Sequence, residues 1–303
     1  MTRDAPLVGF PVVDAHFHLW SRGENPYPWL AEGSPAPALG DHRPLMRDVT
    51  LADHRAEIGR LVALAGGVHV EAGCADPAAE TAWIARVAAA TGFPLVHVAR
   101  VDMTDPGAGE AIHALARHDI VRGFRMRLNA DPKIAGRAGI ADEPAFRRAF
   151  AVLADTGRLF ELSLFPPQAG EGERLARDYP DTAFVLNHLG WPRIAAGQDS
   201  FATWRDGMRR LAACPNVTVK LSMLFPIDRD WRPAVIRPFV EETLVLFGAG
   251  RVMWGSNYPV ETVMGTAEAQ LTALLECLSH LSDGEMQAVF RTTAARVFAL
   301  PLD

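Results

Sequence analysis

The sequence predicts an α/β fold, a single (β/α)8 TIM barrel, on three observations. Eight short apolar or β-branched runs alternate with helical stretches along nearly the whole chain, and parallel strands joined by crossover helices are what such alternation builds. Eight is also the number of strands that closes a barrel and leaves no free edge. The glycine-rich phosphate turn that a doubly wound sheet would place after its first strand is missing.

The first strand is Val12-Val13-Asp14-Ala15-His16-Phe17-His18. Alternation along a strand sends His16 and His18 to one face and Phe17 to the other. Residues 19–48 then form a long irregular segment rich in Pro, Gly and aromatics, including Pro26-Tyr27-Pro28-Trp29-Leu30. A loop of this length inside a compact domain is usually functional; it reads either as a surface excursion pinned by its aromatics or as a cover over an active site. Strands are expected at 68–71, 95–101, 121–128, 159–165, 183–188, 217–221 and 251–255. Helices are expected at 77–91, 108–117, 143–156, 170–179, 201–213 and 233–247, with two more at 267–281 and 284–299 closing the chain. No low-complexity run or polar linker marks a second domain, so residues 1–303 are read as one unit.

Composition narrows the class. Hydrophobic residues make up 49% and charged residues 22% of the 303, enough apolar material for a large core. A net charge of −6 gives no reason to expect nucleic acid or an anionic membrane as partner. Cys74, Cys214 and Cys277 are far apart and odd in number, with no metal-binding or disulfide spacing, so a reducing cytoplasm is the simplest setting. No apolar stretch has the length of a signal peptide core or a bilayer span.

In a barrel of this kind, side chains at the C-terminal strand ends surround one mouth. The candidates by strand are His16 and His18, Glu71, Asp102, Arg125 with Arg127, Asn187 with His188, Lys220 with Ser222, and Asn257. Two imidazoles side by side suit metal ligation or acid/base and substrate-orienting work. Arginine suits a carboxylate or hydroxyl through its planar fork. Each has a structural alternative: Arg127 as a core partner of Glu71 or Asp102, and Lys220 as half of an internal ion pair. His69, His97 and His113 read as structural or exposed, and His42 and His54 are given no role.

Asp14-Ala15-His16-Phe17-His18-Leu19-Trp20 with Tyr27-Pro28-Trp29-Leu30 resembles the opening of amidohydrolase-related (amidohydrolase-2) proteins. It is most similar to the branch of pyrone-dicarboxylate lactonase and the sugar lactonases of fuconolactone and rhamnonolactone. Asn187-His188-Leu189-Gly190, Val219-Lys220-Leu221-Ser222 and Trp254-Gly255-Ser256-Asn257-Tyr258-Pro259-Val260 resemble that branch's sixth-, seventh- and eighth-strand signatures. The resemblance implies hydrolysis of a small sugar-acid or dicarboxylate lactone, with Arg125, Arg127, Glu71 and Lys220 lining the substrate. It implies that His16 and His18 hold one divalent ion, zinc first among the candidates, with His188 or Glu71 as a third ligand, or that they contact the substrate carbonyl with no metal at all. His188 would polarise the scissile carbonyl. Barrels of this type often pair, which leaves a homodimer open.

One departure matters. The branch's eighth-strand aspartate, its general base, is Asn257 here, and an amide has no useful basicity near neutral pH. The base would then be Glu71, Asp102 or His188. Otherwise the site runs a reaction without hydrolytic water, such as lactone isomerisation or decarboxylation, or binds its ligand silently. The fifth-strand run Glu161-Leu162-Ser163-Leu164-Phe165 also lacks the metal-binding lysine or histidine of the binuclear relatives.

Overall fold

A computed structural model describes residues 6–34, 39–130, 137–192 and 200–302; residues 35–38 of the long loop are outside that set. Eight parallel strands follow one another around the sheet in chain order. They are β1 (Val12–Phe17), β2 (Leu64–Val70), β3 (Leu95–Arg100), β4 (Val121–Arg127), β5 (Leu159–Ser163), β6 (Phe184–Leu186), β7 (Val217–Leu221) and β8 (Val252–Trp254). The last strand returns to the first: Asn257 N–H donates to His16 O at 2.7 Å and His18 N–H to Tyr258 O at 2.8 Å. Gly255 permits this approach, since a Cβ there would stand 2.6 Å from His16 Cβ.

All but the first of the main helices fall where apolar periodicity places them. These main helices are α1 (Leu51–Glu57), α2 (Pro77–Thr91), α3 (Ala108–Ala116), α4 (Pro144–Asp155), α5 (Ala169–Asp178), α6 (Ser200–Ala212), α7 (Pro233–Phe247) and α8 (Ala267–Cys277). Asp76 caps α2, accepting from Ala78 N–H and Ala79 N–H, with Pro77 at the first turn, where a proline loses no hydrogen bond. The final expected helix is present over 283–297, with a π-turn at Ala288–Thr292 between Asp283–Gln287 and Thr293–Val297. Two further differences stand out. Helix α1 has no counterpart in the sequence reading, and β2 begins four residues earlier than expected, through Gly66 and Gly67.

The barrel interior is a small apolar cluster of Val13, Ala15, Val68, Val70, Val96, Val98, Leu159, Val185 and Met253. Ala294, Phe298 and Leu300 from the C-terminal segment join it. Leu300 and Leu302 meet Gly66 near the start of β2, so this segment stoppers the N-terminal end of the barrel. Val13 and Ala15 face inward, and strict alternation would continue that face to residue 17. Instead the β1–β2 register slips between Asp14 and Phe17. This bulge turns Phe17 outward, where it stacks on His54 of α1 with ring centres 4.0 Å apart. It turns His16 and His18 inward, and bulges commonly re-aim side chains in this way beside active sites.

Candidate functional site

At the centre of the mouth His16 Nε2 lies 3.3 Å from His18 Nε2, and the His188 ring centre is 4.6 Å from that of His16. His18 Nδ1 meets the carbonyl of Val70 at 2.8 Å, and His188 Nδ1 meets Ser222 Oγ at 2.8 Å. All three imidazoles are buried. Burial is the main reason that each resists protonation: His18 is pushed down to about 3, helped by Arg125, and His16 and His188 fall well below the usual histidine range, helped by Lys220 and Arg125. They are neutral at physiological pH.

Lys220 and Glu161 form an ion pair that is fully buried within the barrel. The ammonium also lies 3.2 Å from His16 Nδ1 and 5.1 Å from the centre of the Phe298 ring. Burial draws Lys220 down to about 8 against the opposing carboxylate of Glu161. Asn257 is 1% exposed, its backbone tied to His16, and its Nδ2 has no partner. Asn187 is fully buried with neither end of its amide bonded. Buried orphan groups of this kind ordinarily meet water or ligand.

The two arginines part company. Arg125 is the buried one, its Nε and a terminal nitrogen donating to Glu71 Oε1 at 2.8 and 2.6 Å. Glu71 Oε2 accepts from Gly73 N–H at 2.8 Å. Burial alone would raise the Glu71 carboxyl, but Arg125 and then Arg127 outweigh it and hold it at about 2. Glu71 is therefore a poor proton acceptor. Arg127 also reaches Glu71, but at 3.9 Å and 64% exposed, so the close core pairing expected of Arg127 is made by Arg125. Arg127 instead walls a cleft of about 460 Å³ with Trp29, Glu71, Arg100, Asp102 and Met126. Asp102 is exposed and bonded to Thr104. Part of the long loop forms a side of this cleft: Trp29 Nε1–H donates to Ala72 O at 2.6 Å, and Ala75 N–H to Pro26 O at 2.8 Å.

One residue of the site went unassigned in the sequence. Asp14 is fully buried and accepts from His16 N–H, Ser256 N–H, Ser256 Oγ–H and His54 Nε2–H. It fastens β1, the segment after β8 and α1 together. His54, given no role by its sequence context, is thereby part of the scaffold. The available signal was Thr50-x-x-Asp53, a capping box that starts α1.

The donor set fits a metal poorly. Among the described residues no group of three or more His, Cys, Asp or Glu side chains stands in a metal-holding arrangement. An asparagine sits where a carboxylate would help, and Lys220 occupies the outer nitrogen of His16.

A family model described as Amidohydrolase matches residues 13–300. The chain belongs to that family. It is 33% identical over 293 residues to the uncharacterised protein y4mH of Sinorhizobium fredii, covering 95% of this chain and 98% of that one. It is 29% identical over 308 residues to an L-fucono-1,5-lactonase of Burkholderia multivorans, covering 95% and 96%. Among solved structures, an amidohydrolase from Burkholderia multivorans with bound zinc superposes with a TM-score of 0.79 at 26% identity, covering 96% of this chain and all of that one. No helix among the described residues is long and apolar enough to cross a membrane.

Proposed function

We propose that the chain is a lactonase-type hydrolase that opens a small sugar-acid or dicarboxylate lactone. The observation that carries this reading is the buried, uncharged group of His16, His18, His188 and the unpartnered Asn257 amide at one mouth. The relatives named L-fucono-1,5-lactonase support the reaction class. In this reading the lactone carbonyl oxygen accepts hydrogen bonds from Asn257 Nδ2–H and from His16 Nε2–H, which it shares with His18 Nε2 at 3.3 Å. Such fixed donors stabilise the charge that develops on oxygen in the tetrahedral intermediate, each on the order of 10²–10³ in rate. Asn257 cannot take a proton, Glu71 is held too acidic to do so, and Asp102 is exposed and bonded to Thr104, away from the histidines. His188 is the base in this reading, weakened by burial and Arg125 but, unlike Glu71, not locked in an ion pair, its Nδ1–H donating to Ser222 and its Nε2 receiving a proton from water. The water oxygen bonds to the carbonyl carbon, and the ring C–O bond then breaks. His188 returns the proton to the leaving alkoxide, and the product acid ionises in solvent. Arg127 and the wall formed by residues 26–30 hold the far side of the ring.

His188→Ala is expected to lower kcat by roughly 10²–10⁴, the usual contribution of a positioned base, with the thermal midpoint nearly unchanged. Proton release over a lactone panel measures this, and full activity in the variant would remove His188 from the mechanism. Arg127→Met is expected to raise KM about tenfold while kcat changes little, since it removes binding rather than chemistry. Asn257 in place of an acid favours one second reading, a lactone isomerase or decarboxylase on the same mouth. Turnover in ¹⁸O water separates them: hydrolysis places one solvent oxygen in the product carboxylate, and the alternatives place none.

A further inference from the structure

Hydrogen-bond polarity inside the barrel decides which nitrogen of His16 carries its proton. An ammonium has donors only, so Lys220 donates to His16 Nδ1 across 3.2 Å. A neutral imidazole that accepts at Nδ1 bears its hydrogen at Nε2. That N–H points to His18 Nε2, 3.3 Å away. His18 can accept it, because its own hydrogen is committed through Nδ1 to Val70 O at 2.8 Å. With Lys220 held as an ammonium by Glu161, one arrangement of hydrogens satisfies the whole series.

Ligation of a divalent ion needs the reverse at His16. Nε2 must offer a lone pair, which moves the hydrogen of the neutral ring to Nδ1, directly against the ammonium. Ligating histidines ordinarily donate from their other nitrogen to a carboxylate, carbonyl or water. His18 is built that way and His16 is not. Spacing is no obstacle, since two nitrogens about 2.1 Å from one tetrahedral ion lie roughly 3.4 Å apart. We propose that Lys220 is a metal-excluding residue. By donating to His16 Nδ1 it turns a His-x-His pair of ligand spacing into a closed hydrogen-bonded pair. Its removal frees the pair to bind zinc, and Glu161, whose Oε2 has no partner among the described residues, supplies the acceptor for His16 Nδ1–H.

Two measurements test this, neither depending on turnover, so a failure of the lactonase reading leaves them intact. Long-range ¹H–¹⁵N spectra of the full-length wild type are expected to show His16 protonated at Nε2 and His18 at Nδ1. The opposite tautomer at His16 overturns the proposal. Zinc titration by calorimetry, with cobalt absorption as a coordination signature, is then run on metal-stripped wild type, Lys220→Met and Lys220→Met/Glu161→Gln. The double variant leaves no lone buried carboxylate and stands in if the single one does not fold. Wild type is expected to take up no stoichiometric zinc. The variants are expected to bind one ion per chain at least about tenfold more tightly, the scale of other outer-shell effects on metal affinity, and to lose it when His18→Ala is added. Stoichiometric zinc in wild type that depends on His16 and His18 overturns the proposal, as does a folded variant that binds no better than wild type.

Discussion

Asp14→Ala is expected to destabilise the protein by about 3–5 kcal/mol, the scale for breaking a buried charged network from one side. The carboxylate is fully buried and accepts four hydrogen bonds from three separate segments. Removing it leaves the His54 imidazole, the Ser256 hydroxyl and two backbone N–H groups without partners, and each orphaned buried donor carries its own desolvation penalty of about 1–3 kcal/mol. Asp14→Asn is expected to recover little. A carboxylate is an acceptor at both oxygens, whereas an amide must turn a donor toward His54 or Ser256, both of which already donate. Ser256→Ala removes one donor to Asp14 and the acceptor of Tyr258 N–H, and is expected to cost about 1–2 kcal/mol. Urea midpoints measure all three; an Asp14→Ala loss no larger than that of Ser256→Ala would show that the fastening is weak. Activity is expected to fall with Asp14→Ala even where the fold survives, because Asp14 sets the backbone that carries both His16 and Asn257.

The fold was legible because its signal is apolar periodicity, and that signal is strong wherever a strand is walled on both faces. α2, α7 and β7 run over the expected residues. What was missed is what periodicity does not encode. Helix α1 is seven residues long, too short for a periodic stripe, and only its cap announces it. The start of β2 is hidden by Gly66 and Gly67, residues that usually argue against a strand. They are required here because a Cβ at Gly67 would stand 2.6 Å from the Phe17 ring. The bulge in β1 is likewise invisible: alternation puts His16 and His18 together, but it does not say that Ala15 shares the interior with them. Of the eleven candidates, His18, His188 and Lys220 gather around His16, since the barrel topology brings strand ends to one mouth, whereas Asp102 and Arg127 lie on the exposed cleft beside it. Which arginine is buried, and that Glu161 is the partner of Lys220, depends on cross-strand register and inward layering. A lone sequence carries no record of either.

Stability is expected to peak between about pH 6.5 and 7 and fall on both sides, steeply toward acid. His16, His18, His69, His97 and His188 are all buried and depressed, His18 to about 3, His97 to about 4 and the others well below the ordinary value. His69 and His97 form a second neutral pair, their Nδ1 atoms 2.9 Å apart. Below about pH 6.5 the unfolded chain binds protons that these folded rings refuse, so stability drains away as pH falls. Glu80 and Glu261 act in the opposite sense. Burial raises both to about 8, so the folded chain holds protons that the unfolded chain releases above about pH 4.5, and stability declines as pH rises toward 8. With five histidines against two carboxyls, unfolding near pH 5.5 takes up a net two to three protons, a slope of roughly 3–4 kcal/mol per pH unit. Between about pH 7 and 8 the two glutamates dominate and the slope reverses, at only roughly 1 kcal/mol per unit, because the histidines still take up some protons and Lys220, lowered to about 8 by burial, opposes them. Urea unfolding from pH 5 to 8.5 measures both limbs. Glu80→Gln supplies the internal check: it keeps an acceptor for Ala72 N–H and removes one titrating group, so it is expected to remove most of the alkaline limb and leave the acid limb steep. A profile level between pH 5 and 6.5 would mean that the buried imidazoles already carry their protons, and the neutral pairings at the mouth would fall with it.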